Sequence, residues 1–141
     1  MTNLNIQVQN FFHRYEKANA EFDVQEIAAC YAAVFLFGGP AGIQALRKED
    51  FVKVLPRRKE FFRSSGLVSS KVGNLEISNL ASRYILTRAA WQMRFERGAA
   101  EPLESENFTT YILSATGDRF EIVLQIDHQD LAKKVADFGL R

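Results

Sequence analysis

SRYILTRAAWQMRFE, at positions 82–96, is the stretch whose reading decides the fold. From Ile85 onward every second residue is apolar or small: Ile85, Thr87, Ala89, Trp91, Met93 and Phe95. Between them stand Tyr84, Leu86, Arg88, Ala90, Gln92 and Arg94, a half-polar set. Side chains alternate across a strand, so the pattern predicts a strand with one face buried under other elements and one outer face only partly wetted. Working outward, runs of the same kind occupy Leu67 to Ser78, Ser105 to Ala115 and Arg119 to His128. They are joined through Asn79-Leu80, Arg97 to Glu104 and the tight Thr116-Gly117-Asp118. This is an antiparallel meander.

Upstream of Gly66 the period changes. Val8, Phe11, Phe12, Tyr15, Ala18 and Phe22 recur at helical spacing, which predicts a first helix from Ile6 to Ala20. Asp23 followed by Glu26 is a capping-box pattern and opens a second helix, expected to run to about Ala33. Val34 to Phe37 reads as a short strand stopped by Gly38-Gly39-Pro40, with Gly42 continuing the loop. A third helix begins near Lys48 and ends at Ser64-Ser65-Gly66, kinked or divided at Pro56. Gln129 to Arg141 carries Leu131, Val135 and Phe138 at helical spacing, a short terminal helix or an arm. Helices first and a meander afterwards define an α+β class in which helices cover one face of a curved sheet, and such an arrangement encloses a pocket.

Composition narrows the function. With 141 residues, 47% of them hydrophobic and 25% charged, the chain is expected to form a single domain over 1–141. Its 18 basic and 17 acidic residues leave a net charge of +1, too little to draw it to nucleic acid or an anionic membrane. Arg57, Arg58, Lys59 and Arg63 form the one basic cluster and read as a solvated helix face, diluted by Glu49, Asp50 and Glu60. Cys30 is the only cysteine, which excludes an intrachain disulfide and points to a cytoplasmic location. It reads as an inert buried thiol. Met1 to Gln9 lacks the features of a secretion signal, and Ile27 to Phe37 is shorter than the ~20 residues that span a bilayer. His13, His128 and Cys30 show no ligand spacing, so neither a metal nor another cofactor is expected.

Three helices, a short strand ending in Gly38-Gly39-Pro40-Ala41-Gly42, and a long-stranded meander closing on Ile126-Asp127-His128 resemble the nuclear transport factor 2-like superfamily. The resemblance covers roughly Val8 to Leu131, and its closer likeness is to bacterial members without an assigned function. It implies a cystatin-like cone: a curved, mostly antiparallel sheet wrapped around N-terminal helices. The same superfamily holds ketosteroid isomerase, scytalone dehydratase and the small polyketide cyclases, so the scaffold does not dictate the activity. In the isomerase branch the base is an aspartate immediately before a proline, where Gly39-Pro40 stands here, so the resemblance implies no isomerase base at that position. Tyr15 falls near that branch's oxyanion-binding tyrosine.

The candidates for chemistry are Tyr15, Asp127 and His128, and those for holding a ligand are Tyr15, Tyr31, Trp91, Tyr111 and Gly39. The aromatic residues join a polar handle to a large apolar body, which suits a pocket wall as well as a core. The turn at Gly39 either offers free N–H groups to a carbonyl or anion, or simply bends the chain. Asp127 and His128 are adjacent on one strand and must face opposite ways. Strict alternation puts Phe120, Ile122, Leu124, Ile126 and His128 under the helices and Glu121, Val123, Gln125 and Asp127 on the outer face. Three functions follow as expectations: a domain that binds a small hydrophobic or carbonyl ligand; a small cofactor-independent isomerase, dehydratase or cyclase; and a homodimeric interaction module. The dimer would form sheet to sheet through Tyr84, Leu86, Ala90, Val123 and Gln125, with Arg88, Arg94 and Glu121 supplying charge.

Overall fold

The structure, a computed structural model, describes residues 3–96, 98–130 and 133. The amphipathic N-terminal stretch forms α1 (Asn3–Glu21), which buries Val8, Phe11, Phe12, Tyr15 and Ala18. It ends at Phe22, whose φ of +51° makes it the one non-glycine residue of positive φ among those described. Asp23 N donates to Ala18 O at 2.9 Å and Phe22 N to Asn19 O at 3.2 Å, the paired bonds of a Schellman cap. The Asp23 carboxylate then accepts from Glu26 N at 3.2 Å and caps α2 (Val24–Ala29). Only this half of the expected capping box forms, because the Asp23 N–H is already committed to Ala18.

The second helix stops at Ala29 rather than Ala33, and β1 (Tyr31–Gly39) begins at once. Tyr31 to Ala33 read equally well as helix, but here the chain pairs in parallel with the last strand, starting with Tyr31 opposite Ile122. Gly42 does not continue a loop either. It opens β2 (Gly42–Arg47), which folds back on β1 around Pro40-Ala41 with Gly39 opposite Gly42. Gly38 is obligatory in this hairpin, since a Cβ there would lie 2.7 Å from Gly42 O and 2.9 Å from Ile43 Cα. The third helix, α3 (Lys48–Ser64), accommodates Pro56 without being divided.

The meander forms as its alternation predicts: β3 (Leu67–Ala81), β4 (Tyr84–Phe95), β5 (Leu103–Thr116) and β6 (Arg119–Asp127). Its first turn falls at Ser82-Arg83, because β3 runs on past Asn79-Leu80. The sheet has the order β2-β1-β6-β5-β4-β3, with only the β1–β6 contact parallel. The C-terminal helix or arm expected beyond Gln129 lies outside the described residues, apart from Asp130 accepting from Lys133 N at 3.1 Å. Among the described residues no helix is long and apolar enough to cross a membrane.

One break in the ladder controls both faces. Ile112 pairs with Leu124 and Leu113 with Ile122, so Val123 is an extra residue on β6, a β-bulge. Upstream of it Ile122 faces inward and is fully buried. Downstream the alternation is inverted: Gln125, opposite Tyr111, and Asp127, opposite Thr109, turn inward, while Leu124, Ile126 and His128 turn outward. Strict alternation places all five the other way.

The core fills the closed end of the cone. Tyr31, Phe35 and Phe51 pack with ring centroids 4.6 to 5.2 Å apart against Ile122, Leu113 and the inner face of α1. Thr87 breaks this apolar set, since it is fully buried and its hydroxyl has no partner among the described residues. A buried hydroxyl without a hydrogen bond costs on the order of 1–3 kcal/mol. Thr87→Val, of nearly equal volume, should therefore raise the urea unfolding midpoint, by an amount equivalent to about 1 kcal/mol; an unchanged or lowered midpoint would show that the hydroxyl is satisfied in solution.

Candidate functional site

A cavity of about 420 Å³ opens between the concave sheet face and the helices, toward the end of the strands opposite the packed core. Its helical wall comprises the last turns of α1 (Tyr15, Asn19) with Phe22 just beyond them, and one side of α3 (Leu55, Arg58, Lys59, Phe62). Its sheet wall is Ser69 and Ser70 on β3, Trp91 and Met93 on β4, Asn107, Thr109 and Tyr111 on β5, and Gln125 and Asp127 on β6. This volume falls within the range of small-molecule sites, and the lining alternates apolar surface with discrete polar groups as such sites do.

The inner floor is a hydrogen-bonded set of buried side chains. The Tyr15 and Tyr31 hydroxyls are 2.7 Å apart, and Tyr31 donates to Gln125 Oε1 at 2.5 Å. Trp91 Nε1 donates to the Tyr111 hydroxyl at 3.1 Å. Asp127 accepts from Thr109 Oγ1 at 3.2 Å, and Asn107 Nδ2 lies 3.0 Å from Met93 Sδ. The Tyr15, Tyr31 and Tyr111 phenols are each held above the usual tyrosine range, chiefly because burial penalises the phenolate. Arg58 opposes that rise at Tyr15 and Tyr31, and the Asp127 carboxylate adds to it at Tyr111. All three are neutral near pH 7 and act through their O–H groups.

The mouth is basic and aromatic. The Arg58 guanidinium sits 5.8 Å from the Phe37 ring centroid and 5.5 Å from that of Phe62, and Lys59 Nζ lies 4.5 Å from the Phe22 ring. Arg63 is clamped by Glu60 at 2.8 and 2.6 Å, whereas Arg58 and Lys59 have no carboxylate partner among the described residues. Phe22 reaches the wall only because α1 ends in a left-handed residue, a conformation costing a phenylalanine on the order of 1 kcal/mol.

Of the residues singled out from the sequence, Tyr15, Trp91, Tyr111 and Asp127 line the cavity. Tyr31 lies one layer behind, touching the cavity through Tyr15 and Gln125. His128 is exposed on the outer face, bonded to Thr110 Oγ1 at 2.6 Å. Gly39 is in the β1–β2 hairpin, where a Cβ would meet Asp127 O at 3.6 Å, an ordinary contact. Cys30 is buried, gives its S–H to Glu26 O at 3.3 Å, and burial pushes its thiol up to about 11. Strict alternation misplaces Gln125, and Arg58 and Lys59, which the charge pattern assigns to a solvated face, rim the cavity. One signal for the cavity is present in the sequence: Ser105, Asn107 and Thr109 occupy three successive inner positions of β5, too polar for a dry core.

A helix-lined cone with an internal cavity and a six-stranded sheet is the architecture of NTF2-like, cystatin-like-fold proteins. Residues 6–130 match the family described as NTF2-like protein (DUF6841), and the chain belongs to that family. Among solved structures, Aln2 from a Streptomyces species superposes with a TM-score of 0.74 at 14% identity, over 96% of this chain and 97% of its own. A cystatin-like-fold protein of unknown function from Nostoc punctiforme gives 0.70 at 15% identity, over 92% and 94%. A scytalone dehydratase-like protein from Novosphingobium aromaticivorans gives 0.70 at 14%, over 90% and 87%. No curated protein matches the sequence.

The buried acids predict how stability depends on pH. The folded chain holds the Cys30 and tyrosine protons more tightly than the unfolded chain, whose groups ionise near 9.0 and 10.0. Their contribution is complete below pH 9 and is lost as the pH rises, first through unfolded Cys30 and then through the unfolded tyrosines. Chemical denaturation should show stability falling above pH 9 and more steeply above pH 10, with a shallower decline in Tyr31→Phe. Iodoacetamide should label native Cys30 at pH 8 far more slowly than the denatured chain.

Proposed function

We propose that this protein, acting as one domain over 1–141, binds a small, largely planar hydrophobic molecule bearing a hydroxyl or carbonyl oxygen. The observation that carries this reading is the 420 Å³ cavity whose floor presents Tyr15, Gln125 and Asp127 among Trp91, Met93 and Phe62. Apolar walls supply affinity and the few polar groups orient the ligand. Arg58 and Lys59 at the mouth, without a carboxylate partner among the described residues, favour a ligand with electron-rich or acidic character. The lone buried Cys30, without a disulfide partner, supports a cytoplasmic site of action.

A catalytic reading is favoured by one observation, the entry of the Asp127 carboxylate into the cavity on the same face as Tyr111. A carboxylate beside neutral phenols is the minimum for abstracting a proton next to a carbonyl, and the likeness to a dehydratase-like protein is compatible with it. Calorimetric titration with 2-naphthol and 2-naphthaldehyde should give saturable 1:1 binding, lost in Ser70→Trp, whose indole would fill the cavity. Absence of saturable binding would sink the ligand-binding reading. Solvent deuterium entering bound 2-tetralone faster than the free ketone, and not in Asp127→Asn, would establish catalysis in addition.

We further propose a homodimer formed sheet to sheet. Register aligns Leu86, Ile112, Leu124, Leu36 and Ala45 in one row across the outer face, with Ile43 and Ile126 beside it. Leu36 is 41% and Ile43 52% exposed, a continuous apolar strip of the kind proteins cover by association. Leu124 and Ile126 take the place that strict alternation gives to Gln125, which faces the cavity. Arg88 already pairs with Glu76, and Arg94 with Glu96 and Glu104, within one chain, so the apolar row and not the charges should hold the dimer. Leu124→Asp should shift sedimentation toward the monomer, whereas Arg94→Glu should have a smaller effect; a wild-type monomer at tens of micromolar would rule the dimer out.

A further inference from the structure

The direction of the hydrogen bonds on the cavity floor is fixed by a count of hydrogens. Tyr31 has one hydroxyl hydrogen and gives it to Gln125 Oε1 at 2.5 Å. The 2.7 Å contact between the Tyr15 and Tyr31 hydroxyls therefore takes its hydrogen from Tyr15. Tyr15 donates back into the protein, shares one lone pair with the neighbouring Tyr111 hydroxyl, whose own oxygen takes the Trp91 N–H, and turns the other toward the cavity. Gln125 is 2% exposed and lines the cavity, and its Nε2 finds no acceptor among the described residues. As the chain stands, the floor offers an acceptor at Tyr15 and a donor at Gln125.

Half a turn of the Gln125 amide would reverse all of this. Its Nε2 would donate to Tyr31, Tyr31 to Tyr15, and Tyr15 into the cavity. Gln125 is the member that can end the chain as either acceptor or donor, and the orientation in the structure selects the first. We propose that Gln125 is a specificity-determining residue that holds Tyr15 as a hydrogen-bond acceptor, so that the cavity selects phenolic or enolic hydroxyl ligands over the corresponding bare carbonyls. A hydroxyl satisfies both groups at once, giving its hydrogen to Tyr15 and accepting from Gln125 Nε2. A carbonyl satisfies only the amide and faces the Tyr15 lone pair. In this arrangement Tyr15 is not an oxyanion donor, the role its position by resemblance implied.

The inference rests on the ligand-binding reading of the cavity, and one titration set separates the two. Wild-type protein should bind 2-naphthol at least about fivefold more tightly than 2-naphthaldehyde, the lower end of what an unmatched buried polar group costs. Gln125→Leu removes the acceptor and Tyr31→Phe removes the relay, and each frees the Tyr15 hydrogen for the ligand. Both variants should bring the naphthol-to-naphthaldehyde ratio to about one or invert it, whereas loss of packing alone would weaken both probes and leave the ratio unchanged. An unchanged ratio in both variants, or equal affinities in the wild type, overturns the role of Gln125 while the cavity stands. If Gln125→Leu does not fold, Tyr31→Phe alone decides. Failure of both probes to bind the wild type saturably overturns the ligand-binding reading and this inference with it.

Discussion

A single unpaired residue, Val123, determines what this domain shows to its interior and to its surroundings. Because strand side chains alternate with a period of two, one inserted residue exchanges the faces of everything that follows it. Gln125 and Asp127 would otherwise sit on the outer face and Leu124 and Ile126 beneath the helices. The cavity would then lose two of its hydrogen-bonding groups, and the outer face its central apolar pair. Parallel pairing with β1 is irregular over the same stretch in the opposite sense, since the ladder shifts from Tyr31 opposite Ile122 to Leu36 opposite Leu124 with the excess residues on β1.

The bulge also explains which parts of the structure are legible in the sequence. The strands of the meander follow from alternation, and α1 from its apolar stripe, because each pattern is local and long enough to outweigh competing signals. β2 escapes such a reading because the apolar residues Ile43, Ala45 and Leu46 of Gly42 to Arg47 break strict alternation in so short a run, and it becomes a strand by pairing with β1. Tyr31 likewise takes its conformation from a partner distant in the chain, Ile122 of β6. Nothing local in Glu121 to Asp127 marks Val123 as the extra residue, since Ile122, Val123 and Leu124 are equally suited to a buried position. The membership of the cavity wall is legible only where it does not depend on β6 register, at Tyr15, Trp91 and Tyr111.

The floor hydroxyls are in turn possible only because they satisfy one another. Three phenols and an amide buried separately would each carry a desolvation cost of a few kcal/mol. Joined as Tyr15, Tyr31 and Gln125, with Tyr111 on the Trp91 indole, they are nearly all paired within the protein. Thr87, on the same face and directly opposite Tyr111 in the ladder, shows the alternative, a buried hydroxyl with no partner among the described residues. The network stabilises the fold without filling the space beside it, so the polar groups left over point into a cavity and not into packed side chains.

A gradient along the strands separates container from core. At one end of the inner face stand Ile85, Leu113 and Ile122, in one buried cluster with Phe12, Phe35 and Phe51; at the other stand Ser70, Asn107, Thr109 and Asp127, which line the cavity. α1 and α3 cannot close over that second set, because one ends in the left-handed turn at Phe22 and the other presents Arg58 and Lys59. Bringing those cations down onto the sheet would desolvate them without a carboxylate to meet them, since Asp127 is already engaged with Thr109 and Glu16 holds the backbone of Val72. The cavity therefore stays open for a reason that lies in the charge pattern of α3 as much as in the curvature of the sheet.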